Sequence, residues 1–371
     1  MMEAKKPKGT RKGYTTGACS AAAASAATRG LVTGQVPESV ECCLPNGQRV
    51  RFSIIDGCCD DHTAHAVVIK DAGDDPDCTH GAHMTADVAL LAGAVNQVVL
   101  KGGPGVGIIT LPGLGLPVDG PAINPVPRRN IEENVRAAAG DLLERAGLEV
   151  TISVPGGEKM SKKTLNSRLG IIGGISILGT SGIVHPYSTA AFRASVVQGV
   201  EIAANQGLDT VVLTTGGRTE KFAMRELPHL AESCFVQMGD FLRYALDTAV
   251  KKRIRNVAIG GMVGKLTKIA QGETITHAGR NPVDTDLVAD IAAAVGAPPQ
   301  VCADIRNAET ARYGSERMQE LGLIAQFHHE LGRRVIETLT GRYPGKFTLT
   351  VLVCDFEGKK LAEVHGGRCD D

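Results

Sequence analysis

The sequence predicts a two-domain protein in which a Rossmann-like parallel α/β sheet accompanies a mixed α+β domain. Its 371 residues are too many for one ordinary hydrophobic core. Apolar strand-like segments alternate with helical ones over residues 189–270, and this alternation is typical of βαβ units in a parallel sheet. Residues 36–70 instead contain short extended segments joined by turns. We expect the mixed domain over residues 1–165 and the cofactor domain over residues 166–345.

The composition argues against several classes of function. The 40 basic residues balance the 40 acidic ones without a long basic block, so a nucleic-acid partner is not expected. No run of about 18 uncharged apolar residues occurs, so we expect no segment that spans a membrane. The basic N-terminus lacks the apolar stretch of a secretory signal. These features predict a cytoplasmic protein.

The ten cysteines do not predict a metal site. Cys42-Cys43 and Cys58-Cys59 are adjacent pairs, and no two cysteines have the C-x-x-C spacing of zinc ligands. Neighbouring residues of a strand point to opposite faces, so neither pair can easily hold one ion. We expect reduced thiols and no protein-bound metal. The 45 glycines indicate many tight turns and close backbone contacts.

An alanine-rich helix is predicted over Ala18–Ala27. Thr15 or Thr16 can cap its N-terminus, and Gly30 can end it. A helix with so little bulk needs a close neighbour, which is either a sheet or a ligand held against the preceding loop. Further along, Asn46-Gly47 between two extended segments predicts a hairpin.

The loop Ala72–Gly81 concentrates side chains that can exchange protons. It contains Asp74, Asp75, Asp77 and His80. Loops dense in such groups often carry acid–base chemistry, so Asp75 and His80 are candidate catalytic residues. The alternative is a turn in which aspartate and proline cap the next segment.

A glycine-rich segment, Lys101–Gly107, has the spacing of a phosphate loop, but no Gly-Lys-[Ser/Thr] follows it. Two adjacent arginines, Arg128 and Arg129, end the glycine- and proline-rich region after it. Adjacent guanidinium groups suit a ligand that carries carboxylates. A solvated start of the helix predicted over Ile131–Glu144 explains them equally well.

Residues 159–188 have the strongest local pattern of a cofactor site. A basic segment precedes the apolar run Ile175–Leu178, which ends in small residues before the next helix. Open α/β sheets bind nucleotide-like ligands at such strand ends. We predict that this run is the first strand of the cofactor domain and that basic residues flank it. The expected contacts are Gly179, Thr180 and Gly182 for the cofactor, and Lys163 and Arg168 for the basic approach.

Each later strand of the predicted parallel sheet also ends in glycine or a small polar residue. The carboxyl ends of parallel strands line one edge of a sheet, where the ligand crevice lies. Lys265 follows the last of these strands and can overhang the crevice. Asp240 is a candidate contact with a ribose. The expected cofactor contacts at this edge are Gly216, Gly217, Gly239, Asp240, Gly260 and Gly261.

The C-terminal segments Lys346–Asp355 and Lys359–Val364 predict a hairpin that turns at Glu357-Gly358. These strands follow a long, mainly helical region. We therefore expect residues 346–371 to complete the sheet of the first domain rather than to extend the parallel sheet.

The motifs, taken together and in this order, resemble the cobalt-precorrin-5B C1-methyltransferase (CbiD) family over roughly residues 10–366. The motifs that carry the resemblance are Gly13-Tyr-Thr-Thr-Gly17, Gly73-Asp-Asp-Pro-Asp77 with Thr79-His-Gly81, Gly102-Gly-Pro-Gly-Val-Gly107, Pro121-Ala-Ile-Asn-Pro-Val-Pro-Arg128, Lys163-Thr-Leu-Asn-Ser-Arg-Leu-Gly170, Gly173-Gly-Ile-Ser-Ile-Leu-Gly-Thr180, Thr215-Gly-Gly-Arg218 and Gly261-Met-Val-Gly-Lys-Leu266.

The resemblance implies methyl transfer from S-adenosyl-L-methionine to C1 of a cobalt-containing precorrin. The cobalt would arrive inside the substrate, a carboxylate-rich macrocycle, so no protein metal site is implied. Basic and hydroxyl groups are expected around such a ring, and a homo-oligomer is compatible with the family. The candidate substrate contacts are Arg11, Thr15, Thr16, Arg128, Arg129, Lys162, Lys163, Arg168 and Lys265.

Two other functions remain open at this point. A small-molecule kinase would use Gly102–Gly107 on phosphate, although the lysine–serine pair of a phosphate loop is missing. A non-catalytic corrinoid-binding protein would need no nucleotide crevice, which would leave the glycine-ended strands unexplained.

Overall fold

The structure is a computed structural model that describes residues 9–277 and 282–369. It divides into two compact units, Met1–Ser188 and Thr189–Asp371. The helices of the first unit are α1 (Thr16–Thr33), α2 (Pro125–Ala139) and α3 (Gly157–Ser161). Its strands are β1 (Gly13–Tyr14), β2 (Ser39–Cys43), β3 (Arg49–Ser53), β4 (Asp56–Cys59), β5 (Thr63–Ile69), β6 (His83–Leu91), β7 (Val98–Gly102), β8 (Gly105–Val106), β9 (Ile108–Ile109), β10 (Gly147–Ser153), β11 (Ile171–Ile172), β12 (Gly174–Ile175) and β13 (Ile183–Val184).

A five-stranded sheet in the order β4-β5-β6-β10-β7 supports the first unit. Only the β10–β7 pairing in it is parallel. Helix α1 packs against both this sheet and α2, and its alanines are fully buried. The small side chains are explained by this position, because a helix enclosed on two sides leaves no room for larger ones. The predicted hairpin at Asn46-Gly47 is confirmed as the β2–β3 pair.

The cap of α1 confirms part of the prediction for this helix. Thr15 Oγ1 accepts a hydrogen bond of 3.2 Å from the Ala18 backbone N–H. The predicted end at Gly30 is wrong, because the helix continues to Gly34, which adopts a left-handed φ of 74°. Gly30 instead lies inside the helix, where a Cβ would stand 2.7 Å from a methyl carbon of Val36. Its missing side chain therefore permits close packing rather than a turn.

The apolar run at Ile175–Leu178 is not the first strand of the parallel sheet. Residues 174–175 form β12, which pairs with β8, and β13 pairs with β1, so the whole stretch belongs to the first unit. The predicted boundary after residue 165 therefore differs from the structural division after Ser188. The partner of β12 lies some seventy residues earlier in the chain, which a local pattern cannot reveal.

The glycines of residues 102–107 allow chain segments to cross at short distance. A Cβ on Gly105 would stand 1.9 Å from the carbonyl oxygen of Val154, and one on Gly103 would stand 2.2 Å from Ser153 Oγ. A Cβ on Gly107 would stand 2.3 Å from the Cγ2 methyl of Ile171. The space beside these glycines is therefore filled by the protein itself.

We expect Gly105→Ala to lower the free energy of unfolding by about 3 kcal/mol, combining left-handed strain with overpacking. Gly115→Ala is a matched control, because Gly115 also has a positive φ of 68° but a Cβ there would meet no atom of the described residues within 4 Å. The control should cost about 1 kcal/mol. If urea unfolding shows the same decrease in the free energy of unfolding for both variants, the close approach of Gly105 to Val154 is contradicted.

The second unit contains a five-stranded sheet between helices. Its helices are α4 (Thr189–Asn205), α5 (Gly217–Glu226), α6 (Leu242–Lys251), α7 (Val263–Ala270), α8 (Thr285–Ala294), α9 (Pro299–Arg306), α10 (Ala311–Glu320) and α11 (Ile324–Arg342). Its strands are β14 (Thr210–Thr214), β15 (Phe235–Gln237), β16 (Asn256–Gly261), β17 (Lys346–Cys354) and β18 (Lys360–Cys369). No helix in the described ranges is long and apolar enough to cross a membrane.

The strand order is β15-β14-β16-β17-β18, and the first four strands are mutually parallel. The C-terminal hairpin forms as predicted, with β18 antiparallel to β17. Its predicted place in the first domain is wrong, because β17 pairs with β16. A hairpin motif predicts that two strands pair with each other. It does not predict which other strand of the protein the hairpin will pair with.

Alternate residues of each strand face two different layers. Val211 and Ile259 join the larger core, to which α4, α6, α7 and α11 contribute. Val212 and Ala258 face the opposite way, toward Phe222 of α5. Both faces of the central strands are therefore buried, as the continuous apolar runs of parallel strands require.

Candidate functional site

The carboxyl ends of β14, β15 and β16 meet at one edge of the second unit. Thr214 aligns with Gln237 on one side and with Gly260 on the other. The chain runs from β14 to β15 at one side of β14 and then to β16 at its other side. Such a reversal of strand order opens a crevice between the two loops that leave the strands. The structure thus brings six predicted cofactor residues to one edge, namely Gly216, Gly217, Gly239, Asp240, Gly260 and Gly261.

These glycines differ in what lies beside them. Among the residues that the structure describes, a Cβ on Gly216 would meet nothing within 4 Å, and one on Gly217 would meet only Gln237 Nε2 at 3.9 Å. A Cβ on Gly261, by contrast, would stand 2.8 Å from the Leu266 side chain. A Cβ on buried Gly260 would lie 3.4 to 3.5 Å from its nearest neighbours, which is an ordinary contact distance. The turn at Gly216-Gly217 is therefore open to a ligand, whereas close packing against Leu266 explains Gly261.

Helix α5 begins at this open turn. Thr219 Oγ1 donates to the Gly216 carbonyl over 2.8 Å and accepts from the Gly216 N–H over 3.1 Å. Within residues 9–277 and 282–369, the N–H groups of Gly217 and Arg218 have no acceptor. Free N–H groups at a helix N-terminus favour an anion. Thr219 was missed in the sequence, because a capping box is recognised by Glu or Gln at the third helical position, and here a threonine makes the equivalent contact.

A hydrogen-bonded clamp joins three segments at the crevice. Lys265 Nζ lies 3.1 Å from Asp240 Oδ1 and donates to the Thr215 carbonyl over 3.0 Å. Thr276 Oγ1 donates to the same Asp240 oxygen over 3.1 Å. Lys265 therefore holds the loops after β14 and β15 together. Asp240 Oδ2 has no hydrogen-bond partner in the part of the chain that the structure describes.

A second polar contact fixes the floor of the crevice. Gln237 Nε2 donates to Glu220 Oε2 over 2.6 Å, and Glu220 is only 3% exposed. The contact connects the end of β15 to the first turn of α5. Neither residue stood out in the sequence, because a lone glutamate on an amphipathic helix has no pattern that predicts burial.

In the first unit, Arg11 is engaged by the protein's own carboxylates. Its guanidinium forms a two-pronged ion pair with Asp71, in which Nη2 donates to Oδ1 over 2.9 Å. This hydrogen bond, with one from the Gly73 N–H, lowers the pKa of Asp71 to about 2. The Arg11 backbone N–H donates to Asp74 Oδ2 over 2.7 Å. Arg11 thus fastens the N-terminal segment to the loop Ala72–Gly81.

The two predicted proton-transfer residues lie in that loop. Asp75 Oδ1 accepts from the Tyr187 N–H over 3.0 Å. His80 Nδ1 accepts from the Ala72 N–H over 3.1 Å, so the neutral ring carries its proton on Nε2. Just over half of the His80 side chain is exposed. His80 therefore presents Nε2 to solvent from a fixed ring orientation.

Thr15 and Thr16 hold the loop that contains Gly179, Thr180 and Gly182. Thr16 Oγ1 accepts from the Leu178 N–H over 2.9 Å, and the Gly17 N–H donates to the Leu178 carbonyl over 3.1 Å. A Cβ on Gly179 would stand 2.5 Å from Thr15 Oγ1. These three predicted cofactor residues therefore belong to the first unit, beside α1, and do not follow a strand of the parallel sheet. Packing against Thr15 explains Gly179.

The remaining predicted substrate residues lie on the surface of the first unit. Arg128 and Arg129 lie near the start of α2, at its fourth and fifth residues, and Lys163 is exposed after α3. Within the described ranges none of these three forms an ion pair. Arg168 is half-buried in the short helical turn Ser167–Leu169. The cationic groups of Arg128, Arg129 and Lys163 are suited to an anionic ligand.

An exposed apolar patch lies on the small β9–β11 ladder of the same unit. Ile108 and Ile172 are cross-strand partners and are 51% and 59% exposed. Leu111 follows β9 and is also exposed. A contiguous apolar surface of this kind often marks a binding site.

Comparisons with known proteins identify the family. Family models described as "CbiD" and "CbiD, C-terminal domain" match residues 3–186 and residues 275–365. A curated protein of Methylococcus capsulatus, named cobalt-precorrin-5B C(1)-methyltransferase, is 75% identical over 97% of this chain and 94% of its own length. A protein of the same name from Polaromonas naphthalenivorans is 68% identical over 98% of this chain and 100% of its own.

A solved structure, of the cobalamin biosynthesis protein cbiD from Archaeoglobus fulgidus, is 28% identical and has a TM-score of 0.39. The match covers 72% of this chain and 82% of that one. The curated relatives match nearly the full length of the chain, and the resemblance of the sequence motifs is confirmed. The chain belongs to the CbiD family.

Proposed function

We propose that this protein transfers the methyl group of S-adenosyl-L-methionine to C1 of cobalt-precorrin-5B in anaerobic cobalamin biosynthesis. The names of its curated relatives support this reaction. The observation that carries the proposal is the open Gly216-Gly217 turn beside the Asp240 clamp. In this proposal the second unit is a Rossmann-like cofactor domain. Its predicted cytoplasmic location and homo-oligomeric state stay predictions.

The residues at the crevice fit the polar groups of this donor. The free N–H groups of Gly217 and Arg218 would bind its carboxylate at the N-terminus of α5. Asp240 would accept hydrogen bonds from ribose hydroxyls through Oδ2, because Lys265 and Thr276 already occupy Oδ1. The bound donor supplies an already activated methyl group. The protein's task is then to align the acceptor carbon and to exclude water.

The first unit has the groups that a precorrin ring requires. Such a ring is large, holds cobalt at its centre, has carbon-rich faces around it, and carries carboxylates at its rim. The apolar pair Ile108 and Ile172 would contact the ring face. Arg128, Arg129 and Lys163 would bind the rim carboxylates, for which guanidinium groups are well suited. His80 would exchange a proton with the ring through Nε2.

We expect His80→Ala to lower kcat about 100-fold, because a positioned proton-transfer group contributes about that much. Binding of S-adenosylhomocysteine to the same variant should be unchanged. His83→Ala is the control, because His83 is an exposed residue at the start of β6 and has no proposed role. Equal rates for the two variants in a single-turnover assay would remove His80 from the mechanism.

The proposed reaction is tested with the purified protein, labelled methyl donor and cobalt-precorrin-5B. We expect label to enter the corrinoid, and S-adenosylhomocysteine to bind in a calorimetric titration. Binding of the corrinoid without transfer of label would favour a non-catalytic carrier. Failure of S-adenosylhomocysteine to bind would contradict the donor site.

The structure of Gly102–Gly107, the segment that suggested a kinase, does not favour phosphate binding. The positions beside Gly103, Gly105 and Gly107 are filled by Ser153, Val154 and Ile171. A phosphate would need that space to reach the backbone N–H groups. Turnover of ATP with Mg²⁺ by the purified protein would restore this alternative.

A further inference from the structure

Phe192 is an exposed aromatic residue at the edge of the crevice. It lies in the first turn of α4 and is 42% exposed. The buried residues of this helix begin only at Val196, so Phe192 does not contribute to the core. A single exposed apolar side chain is common on protein surfaces, so the position of Phe192 beside the crevice, rather than its exposure, suggests a ligand contact.

The ring of Phe192 lies directly against Gly239. A Cβ on Gly239 would stand 2.9 Å from Cε1 and 3.1 Å from Cζ of this ring. Gly239 also has a φ of 57°, the left-handed region that glycine tolerates best. The loop after β15 is therefore shaped so that an aromatic ring can lie on its backbone, next to Asp240.

A row of other aromatic side chains packs against the ring of Phe192. The centroid of Phe192 is 5.7 Å from that of Phe241, which is 6.1 Å from that of Tyr244. The Arg193 guanidinium lies over the Tyr244 ring at 5.0 Å. This row limits the orientations of Phe192 while leaving part of its surface exposed.

We propose that Phe192 binds the adenine base of the methyl donor by stacking. This inference rests on the proposed function, which places the donor's ribose at Asp240 Oδ2. A base attached to that ribose needs a flat apolar surface close by, and Phe192 is adjacent to Gly239, the residue before Asp240. Stacking on an aromatic ring is a common way to bind a base, since every base presents a π-face.

The absence of tryptophan from the chain makes this contact directly observable. Phe192→Trp introduces a single indole whose emission reports stacking. We expect S-adenosylhomocysteine and adenosine to quench it saturably, and homocysteine to leave it unchanged. Phe356→Trp is the matched control, because Phe356 is 49% exposed on the turn between β17 and β18, where Arg312 covers its ring.

Affinity provides a second readout. We expect Phe192→Ala to weaken binding of S-adenosylhomocysteine about tenfold in calorimetry, and Phe192→Tyr to keep nearly the original affinity. Phe192→Ala loses contacts with Gly239 and Phe241, so urea unfolding is used to confirm that both variants are folded when their affinity is measured.

The outcomes separate this inference from the proposed function. If the original protein and Phe192→Trp both bind S-adenosylhomocysteine but emission does not change, or changes equally in Phe356→Trp, the stacking contact is wrong and the donor site stands. Unchanged affinity in Phe192→Ala leads to the same conclusion. If the original protein fails to bind S-adenosylhomocysteine in calorimetry, both the donor site and the stacking contact are overturned.

Discussion

Asp240→Ala should raise the dissociation constant of S-adenosylhomocysteine by about 10- to 100-fold, the range expected for losing hydrogen bonds to a charged group. Two effects combine in this variant. The ribose loses its acceptor at Oδ2, and Lys265 loses the carboxylate that holds it beside the Thr215 carbonyl. We expect kcat/KM for methyl transfer to fall by at least the same factor.

Asp240→Asn separates the two effects. The amide oxygen can still accept from Lys265 and Thr276, so the clamp should persist while the charge is lost. Its loss of affinity should be several-fold smaller than that of Asp240→Ala. Asp286→Asn is the control for a general loss of negative charge, because Asp286 is 79% exposed on α8. Wild-type affinity in Asp240→Ala would exclude Asp240 from the donor site.

Asp77→Asn should lower the free energy of unfolding by about 3–5 kcal/mol, the usual cost of leaving a buried charge without its partner. Lys70 is 1% exposed and its Nζ donates to Asp77 Oδ2 over 2.6 Å. Lys70→Met should cost less, because Asp77 is a quarter exposed and keeps its hydrogen bonds from Thr79. Urea unfolding at neutral pH measures the free energy of unfolding of both variants. A larger decrease in Lys70→Met than in Asp77→Asn would contradict the conclusion that Lys70 is the buried charge that needs its partner.

The ion pair between Lys70 and Asp77 also predicts that the free energy of unfolding depends on pH. Burial raises the pKa of Asp77, but the hydrogen bonds from Lys70 and Thr79 outweigh it, and the net pKa lies below the ordinary value of 3.8. A carboxylate whose pKa is lower in the folded state than in the unfolded state stabilises the fold. This stabilisation is fully present when the pH is above the pKa of the unfolded state. That contribution is lost as the pH falls below 3.8 and through the folded pKa. The free energy of unfolding of Asp77→Asn should therefore fall less than that of the original protein as the pH is lowered below 3.8.

The crevice in the second unit was predictable because its determinants are local. Strand and helix segments alternate along the chain, and parallel strands with helical crossovers must bring their carboxyl ends to one edge. Gly216, Gly239 and Asp240 follow strands β14 and β15, so the pairing of these two consecutive strands is enough to bring them to one edge.

The errors arose where long-range pairing decides the structure. The run at Ile175–Leu178 resembles a buried strand, but it joins β8 and the N-terminus of α1. A glycine has the same appearance in the sequence whether it faces open space, as Gly216 does, or a neighbouring side chain, as Gly261 does. The buried Lys70 and the exposed Phe192 were missed because each reverses the usual preference of its residue type.

We propose that the donor binds at the carboxyl edge of the sheet in the second unit. A crystal structure of the protein with S-adenosylhomocysteine tests this position most directly. We predict the ligand's carboxylate at the N–H groups of Gly217 and Arg218, and its ribose within hydrogen-bonding distance of Asp240. A ligand bound instead beside Gly179–Gly182 in the first unit, with the Gly216-Gly217 turn left empty, would contradict the claim.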